Sequence, residues 1–436
     1  MSAPHPAVNI CRRRFQRLAS LLALALVALP SVARADEHAD EIVRWNRVAT
    51  DVTAAAQMDP LTESRILAIL HLAMHDAVNA VEPRFERYSR KPQSAPGASA
   101  EAAAAAAAQT VLIALLPKEV DTFNRTLTES LADVPNGESL RKGLDAGRRA
   151  ARRILKLRAA DGADMKVEWK AGRKPGEYRE TPPENLPGLF NHWGRITPFA
   201  LESSSQFRPV PPPTLDSAAY AADVAEVRTI GSASSTTRTA EGTEIARFWY
   251  ENSTLGWNRI ARNVVAGRSF DLWEQARLFA LLNVAMADGF IAGFEAKYHY
   301  HFWRPVTAIR EAAADGNDAT QPDAGWMSAL STPPVPDYPS THTVLGAAAA
   351  AVLARVLEND FVAFEMTSGA PYAGITRRFT SFSQAARENG QSRVLAGIHF
   401  GSAVRAGYRQ GEDVGLYVVD TILRPIDDRA PAMTRR

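Results

Sequence analysis

Apolar residues recur every three to four positions along most of the chain beyond residue 36. This spacing places them on one face of an α-helix. The segments predicted to be helical are 38–57, 62–81, 98–116, 117–132, 138–158, 216–230, 239–251, 257–265, 271–298, 342–358, 373–389, 391–398 and 402–423. Alternating runs rich in β-branched residues are nearly absent. The sequence therefore predicts an all-α fold.

A proline-dense stretch and an internal repeat divide these helices into two sets. Residues 172–214 are irregular and rich in proline, which predicts a long connection. The segment "RILAILHLAMHDAVNA" (65–80) aligns without gaps with "RLFALLNVAMADGFIA" (277–292), and an arginine, a methionine and an aspartate are matched. This indicates a duplication. We therefore predict two related helical bundles, 36–171 and 215–436, joined by the proline-rich connection.

The first 35 residues have the features of an export signal. Arginines at 12–14 precede a short apolar stretch at 18–30, and Ala-Arg-Ala at 33–35 is a suitable cleavage site. The stretch "RRRFQR" resembles a twin-arginine signal, and an ordinary secretion signal is the alternative. Residues 1–35 are therefore predicted to be a signal peptide, and the mature protein is predicted to be periplasmic or extracellular.

Removal of the signal changes what the composition implies. The whole chain has a formal net charge of +2, and residues 1–35 contain five arginines and no acidic residue, so the mature chain carries −3. No nucleic-acid partner is expected for such a chain. The sole cysteine, Cys11, also leaves, which excludes a disulfide, a cysteine nucleophile and a thiolate metal site. The longest remaining apolar stretches, 281–294 and 343–353, are too short to span a membrane, so no membrane contact is expected after cleavage.

Two histidines on a predicted helix have the spacing of metal ligands. His71 and His75 lie four residues apart, which places both on one face. In the internal repeat, however, their positions are taken by Asn283 and Ala287. No third ligand is evident, so we interpret both histidines as hydrogen-bonded structural residues.

Three segments in the second half carry basic and polar residues among apolar ones. Lys297 and Arg304 lie seven residues apart, on nearly the same helical face, among aromatic residues that favour burial. Two buried cations require an anion, although long basic side chains can also reach solvent. The loop "YPSTH" opens a helix of small apolar residues, where a serine either caps the helix or leaves its N–H groups for an anion. Arg393 and His399 are six residues apart, about 120° from a common face, unless Gly397 loosens the turn.

The order of these segments is more specific than any one of them. Lysine, six residues and Arg-Pro are followed by Pro-Ser-Thr-His, and then by Ser-Arg, five residues and histidine, over residues 297–399. This arrangement resembles the signature of the vanadium haloperoxidase and type 2 phosphatidic acid phosphatase superfamily. The stretches "FWRP", "PPVPDYPSTH", "GIHF" and "HLAMHDAVNAV" are most similar to its soluble haloperoxidase branch.

The resemblance implies a site in the second bundle for a tetrahedral oxyanion, with vanadate as cofactor or phosphate as substrate. The groups that would hold the oxyanion are Lys297, Arg304, Ser340, the backbone N–H of Thr341, and Arg393. By the same resemblance, His399 would be the metal ligand, or the nucleophile toward phosphorus. His342 would be the general acid and base, and Lys297 would polarise bound peroxide.

Two positions depart from the superfamily pattern. Thr341 stands where the loop usually has glycine, and only its N–H group is required there. Ala403 stands where many members have an aspartate that helps to orient the last histidine. If His399 has this role, its ring needs another hydrogen-bond partner.

Three functions remain open at this point. The first is a secreted vanadate-dependent haloperoxidase that oxidises halide with hydrogen peroxide and halogenates a small organic acceptor. The second is a periplasmic non-specific acid phosphatase that acts through a phosphohistidine at His399. The third is a non-catalytic helical protein with a residual anion pocket, which the alanine at position 403 would suit.

Overall fold

The computed structural model describes residues 41–89 and 93–426. The predicted signal peptide and Cys11 lie outside these ranges. The helices are α1 Glu41–Ala55, α2 Pro60–Val81, α3 Ala100–Leu115, α4 Val120–Ser130, α5 Glu138–Arg158, α6 Ala218–Ile230, α7 Ala240–Phe248, α8 Ser253–Val265, α9 Leu272–Tyr300, α10 Pro305–Arg310, α11 Thr341–Val356, α12 Phe382–Leu395 and α13 Gly401–Thr421. Two short strands, β1 Phe364–Thr367 and β2 Thr376–Phe379, form an antiparallel hairpin.

Helices α2 and α9 pack against each other at the centre of the fold and carry the two copies of the internal repeat. Each begins at an aspartate whose side chain accepts N–H groups of the first turn: Asp59 for α2 and Asp271 for α9. Of the described helices, α9 alone is long and apolar enough to cross a membrane, but 94% of its apolar window is buried inside the protein. It is therefore the core helix around which the other helices pack.

The matched aspartates of the repeat have the same role in both copies. The carboxylate of Asp76 accepts the backbone N–H groups of residues 88–89 at 2.7 and 2.9 Å. The carboxylate of Asp288 accepts three consecutive N–H groups, at residues 199–201, at 2.7–3.0 Å. In each copy, a buried aspartate thus fixes an irregular segment against a central helix.

The structure extends the repeat beyond the segment that the sequence analysis aligned. At the same offset, the sequence Trp-Asn-Arg occurs at 45–47 on α1 and at 257–259 on α8. The two equivalent asparagines meet in the core, where Asn46 Nδ2 donates to Asn258 Oδ1 at 2.7 Å. The duplicated unit is therefore a pair of helices, α1–α2 and α8–α9.

The predicted role of the two early histidines agrees with their contacts. His71 Nε2 lies 2.9 Å from the Asn46 amide, and the ring stacks on Phe279. Burial lowers the pKa of His71 to about 3, so the ring is neutral. His75 Nε2 lies 3.2 Å from the side-chain amide of Asn79. Both histidines are therefore hydrogen-bonded core residues.

Most predicted helices are present, and the region after residue 360 departs most from the prediction. The helix predicted over 373–389 is wrong, because residues 376–379 form β2. The separate helix over 391–398 is also wrong, because α12 runs without interruption from Phe382 to Leu395. Ser381 caps α12 by accepting the Gln384 N–H, which sets the start of this helix. The connection 172–214 is irregular as predicted, and contains no α-helix and no extended strand.

A buried glutamate joins the first helix pair to the second. Glu63 on α2 accepts a hydrogen bond from Thr53 and a second, at 2.6 Å, from the side-chain amide of Asn252. Asn252 is the N-cap of α8. Burial raises the pKa of Glu63 from 4.5 to about 7. The carboxyl group therefore favours its protonated form in the folded state.

We expect Glu63 to make the stability of the protein depend on pH. Because its pKa is raised in the folded state, the folded protein loses stability as pH rises from 4.5 to about 7. That loss is on the order of 3 kcal/mol of unfolding free energy. Denaturant unfolding at about pH 5 and about pH 8 should show a smaller difference for Glu63→Gln than for the wild type. Glu129→Gln on the exposed face of α4 is the control, and an equal pH dependence in all three proteins would contradict the assignment.

Candidate active site

The candidate residues come from the ends of α9 and α12, the start of α11 and the loops beside them. Lys297 lies in the last turn of α9 and is fully buried. Its Nζ donates to the carbonyl oxygens of Pro336 at 2.7 Å and Asp337 at 3.0 Å. Burial, followed by the neighbouring charge of Arg304, lowers the pKa of Lys297 well below its ordinary value. An anion beside the ammonium group would restore the charged form.

Arg304 joins two loops to the end of α9. The helix ends at Tyr300, and Pro305 starts α10, so the arginine lies in an extended connection. Its Nε donates to Val335 O at 2.7 Å and its Nη1 donates to Ile398 O at 2.6 Å. The side chain is buried, so these carbonyl groups replace the water that a guanidinium group would otherwise bind.

His399 lies directly beside this guanidinium group. Its Nε2 is 3.0 Å from Arg304 Nη1, and its Nδ1 is 2.9 Å from Asp337 Oδ1. Burial, followed by the positive charges of Arg304, Lys297 and Arg393, lowers the pKa of His399 well below its ordinary value. The imidazole is therefore neutral, which is the form that binds metals and acts as a nucleophile.

Arg393 and His399 are brought together by a turn rather than by one helix. Arg393 is in the last turn of α12, and Gly397 then adopts a φ of 78°. A Cβ atom at Gly397 would lie 2.1 Å from the carbonyl oxygen of Gly231, so both the conformation and the space require glycine. The 120° offset expected for a straight helix therefore does not separate the two side chains.

The guanidinium group of Arg393 is buried and incompletely paired. Its Nη1 has one long contact, 3.5 Å, with the carbonyl oxygen of Trp249. Its Nε has no hydrogen-bond partner among the residues of 41–89 and 93–426. The group also lies 5.5 Å above the ring of Tyr250. Buried polar groups are normally paired. A bound anion would give the unpaired Nε–H group of Arg393 an acceptor.

Ser340 takes the N-cap position of α11, but its side chain makes no cap hydrogen bond to the helix. Its Oγ accepts instead from Thr343 Oγ1 at 2.9 Å. The simple capping role that the sequence left open is therefore wrong, and the start of α11 can direct N–H groups toward an anion. Thr341 is in the helix and has ordinary backbone angles. Gly293 on α9 makes room for it, because a Cβ there would lie 2.5 Å from the threonine methyl group.

His342 is less buried than the rest of the cluster and lies on its partly accessible side. Its Nδ1 is 2.7 Å from the hydroxyl oxygen of Ser253, the first residue of α8. Burial, followed by the charge of Arg393, lowers its pKa well below the ordinary value. The sequence analysis missed Ser253, which lies 89 residues away in the chain.

The cluster fits a multiply charged oxyanion. It contains the cations of Lys297, Arg304 and Arg393, each less than 5% exposed. The fully buried carboxylate of Asp337 lies 3.9 Å from Arg304 Nη1 and is close enough to Lys297 to influence its charge. A group of buried cations that outnumbers its carboxylate needs a further negative charge. Guanidinium forks, a lysine ammonium and a helix N-terminus are the donors that phosphate-like ions prefer.

Comparison with known proteins shows which fold family the chain resembles. The family model described as VCPO second helical-bundle domain matches residues 277–428. The curated vanadium chloroperoxidase of Curvularia inaequalis is 24% identical over 498 residues, covering 86% of this chain and 81% of that protein. The crystal structure of a bacterial vanadium-dependent iodoperoxidase has a TM-score of 0.77 and 27% identity, covering 89% of this chain and 98% of that one.

The family model, the curated relative and the iodoperoxidase structure together support the vanadium haloperoxidase and type 2 phosphatidic acid phosphatase superfamily for this chain. The holo form of a bacterial vanadium-dependent chloroperoxidase also has this fold, with a TM-score of 0.66 at 19% identity, covering 83% of this chain and 91% of that one. The superfamily match begins on α9 and ends after α13, so all three predicted segments lie within it.

A superfamily site of this kind should be stabilised by its anion. Orthovanadate at about 100 times its Kd is expected to add about 2.7 kcal/mol to the unfolding free energy, because the anion binds only the folded state. In Arg393→Met, which keeps an unbranched side chain up to the Nε position but removes the N–H groups, most of this gain should disappear. Thermal unfolding with and without orthovanadate measures the effect.

Arg387→Met provides the matched control, because Arg387 is an exposed arginine on the same helix. The control should retain the full vanadate-dependent gain. An equal gain in both variants would show that Arg393 does not contact the anion.

Proposed function

We propose that the protein is a vanadate-dependent haloperoxidase that oxidises halide with hydrogen peroxide and passes the oxidised halogen to a small organic acceptor. The carrying observation is the burial of Lys297, Arg304 and Arg393 together with His399, whose Nε2 lies 3.0 Å from Arg304 Nη1. The named relatives support halide oxidation over phosphate hydrolysis, because each is a haloperoxidase. Phosphatase activity is the alternative, since the same donors suit phosphate.

The three cations would hold the oxygen atoms of the bound anion. Lys297 uses two of its N–H donors on carbonyl groups and keeps a third. Arg304 holds its loops through Nε and Nη1, which leaves Nη2 for an anion oxygen. Ser340 adds a hydroxyl group, and Thr341 adds the N–H group at the start of α11. Bound vanadate would supply a Lewis acid that activates hydrogen peroxide toward halide.

The two histidines would have different tasks. His399 offers Nε2 as the protein ligand for the central atom, and its buried position excludes water from that side. His342, on the partly accessible side, would accept and return the proton of the incoming peroxide. Its low pKa keeps the ring unprotonated and ready to accept that proton. Ser253 holds the ring through Nδ1. Lys297 would polarise the oxygen to be transferred.

Histidine variants test these roles. His399→Ala should lose vanadate binding and bromination together. His342→Ala should bind vanadate like the wild type and lose about 100- to 10,000-fold in turnover, because it removes only the proton acceptor. Purified protein with orthovanadate, hydrogen peroxide and bromide is assayed by bromination of a dye, and vanadate binding is measured by elemental analysis.

His299→Ala is the matched control, since His299 is an exposed histidine on α9, and it should behave as the wild type. Hydrolysis of p-nitrophenyl phosphate that vanadate inhibits, without bromination, would establish the phosphatase alternative. Absence of both activities and of vanadate binding would favour a non-catalytic protein.

We also propose that the enzyme works in the periplasm or outside the cell. The basis is the basic, apolar and small-residue composition of residues 1–35, whose twin-arginine-like stretch suits export. Mass spectrometry of the exported protein should find Asp36 at its N-terminus. Lysine substitution of the arginines at 12–14 should reduce export if the twin-arginine route is used. A full-length chain confined to the cytoplasm would overturn the proposal.

A further inference from the structure

We propose that Asp337 is the positioning residue of His399, in place of the aspartate that this chain lacks at position 403. The proposal deepens the proposed function and rests on it for the role of His399 as ligand. Ala403 is fully buried and offers no polar side-chain atom, while Asp337 Oδ1 lies 2.9 Å from His399 Nδ1. The carboxylate beside this histidine therefore comes from the loop before α11 and not from α13.

Arg304 determines which nitrogen of His399 carries the proton. Its Nη1 is 3.0 Å from His399 Nε2, and a guanidinium group has only donors. Nε2 must therefore accept, and its lone pair faces the guanidinium group. A ring that accepts a hydrogen bond at Nε2 carries its proton on Nδ1. In this tautomer Nε2 keeps a lone pair, which could bond a metal or phosphorus centre once Arg304 Nη1 no longer donates to it.

The Nδ1–H group of His399 and the carboxylate of Asp337 can form a hydrogen bond with each other. In the described part of the chain, neither Nδ1 nor either carboxylate oxygen has a hydrogen bond of normal geometry. Asp337 Oδ1 and His399 Nδ1 are 2.9 Å apart, which is within ion-pair distance, but the two groups are not aligned for a hydrogen bond. The backbone N–H of Phe400, which is also near the carboxylate, is not aligned with it either. Catalytic hydrogen bonds are often poorly aligned before the ligand binds, and tighten in the complex.

The backbone of Asp337 is fixed independently of its carboxylate. Its N–H donates to Phe302 O at 2.9 Å, and its carbonyl oxygen accepts from Lys297 Nζ at 3.0 Å. The side chain is fully buried, so it cannot turn to solvent. Asp337 also lies 3.9 Å from Arg304 Nη1, which is too long for a direct hydrogen bond. Nδ1 of His399, at 2.9 Å, is therefore a closer partner for the carboxylate than Arg304.

Simple charge compensation is the competing explanation for Asp337, since it lies among cations. The two roles predict different results for Asp337→Asn. A residue that only balances charge would change stability and leave the tautomer of His399 unchanged. A positioning residue fixes the proton on Nδ1, and its loss weakens metal affinity by about 10- to 100-fold.

The experiment uses the full mature chain, wild type and Asp337→Asn, with Asp223→Asn as control. Asp223 is a buried aspartate that accepts the Ser402 N–H near the start of α13. Nitrogen-15 NMR of labelled histidine, assigned with His399→Ala, reports which ring nitrogen is protonated in the protein without vanadate. Titration with orthovanadate gives the Kd.

We expect an Nδ1-protonated His399 in the wild type and in Asp223→Asn, with equal vanadate affinities. Asp337→Asn should populate the Nε2-protonated form and bind vanadate about 10- to 100-fold more weakly. Wild-type affinity and tautomer in Asp337→Asn would overturn the proposal. So would an Nε2-protonated His399 in the wild type, a result that holds even if Asp337→Asn fails to fold. Wild type that binds vanadate but oxidises neither iodide, bromide nor chloride would refute the proposed function alone.

Discussion

Lys297, Arg304 and Arg393 are buried together, and a buried cation is stable only when dipoles or an anion replace its lost water. The structure supplies part of this through the loop carbonyl groups that Lys297 and Arg304 bind. The same bonds fix the loops that carry Asp337 and His399. The cations that would bind the oxyanion also hold the loops of the site in place. Oxyanion binding and the stability of the local fold are therefore coupled.

The first helix pair acts on this site through the core rather than through direct contact. The paired asparagines Asn46 and Asn258 join α1 to α8, and Glu63 on α2 binds the N-cap of α8. The next residue, Ser253, holds His342. Of the two copies of the repeat, α8–α9 contributes residues to the site, and α1–α2 holds α8 in place.

Helical periodicity predicted the core well, because α2 and α9 are set by local spacing and by their aspartate caps. It failed over 373–398, where β2 forms by pairing with β1, because strand formation depends on the paired neighbour more than on the periodicity of the segment itself. In the site, too, some residues could be predicted from the sequence and others could not. The cations were found because their order matches a known signature, whereas Asp337 and Ser253 were missed. Each of these two meets its histidine only through the tertiary fold.

The two departures from the superfamily pattern have local compensations. The side chain of Thr341 is accommodated because Gly293 on the facing helix lacks a Cβ, so the N–H at the start of α11 keeps its place. Ala403 removes one orienting carboxylate, and Asp337 brings another to the same histidine nitrogen. A missing motif residue is therefore weak evidence for lost activity in this chain. What the chemistry requires is a hydrogen-bond acceptor beside Nδ1 and a donor at the helix start, and other residues can provide both.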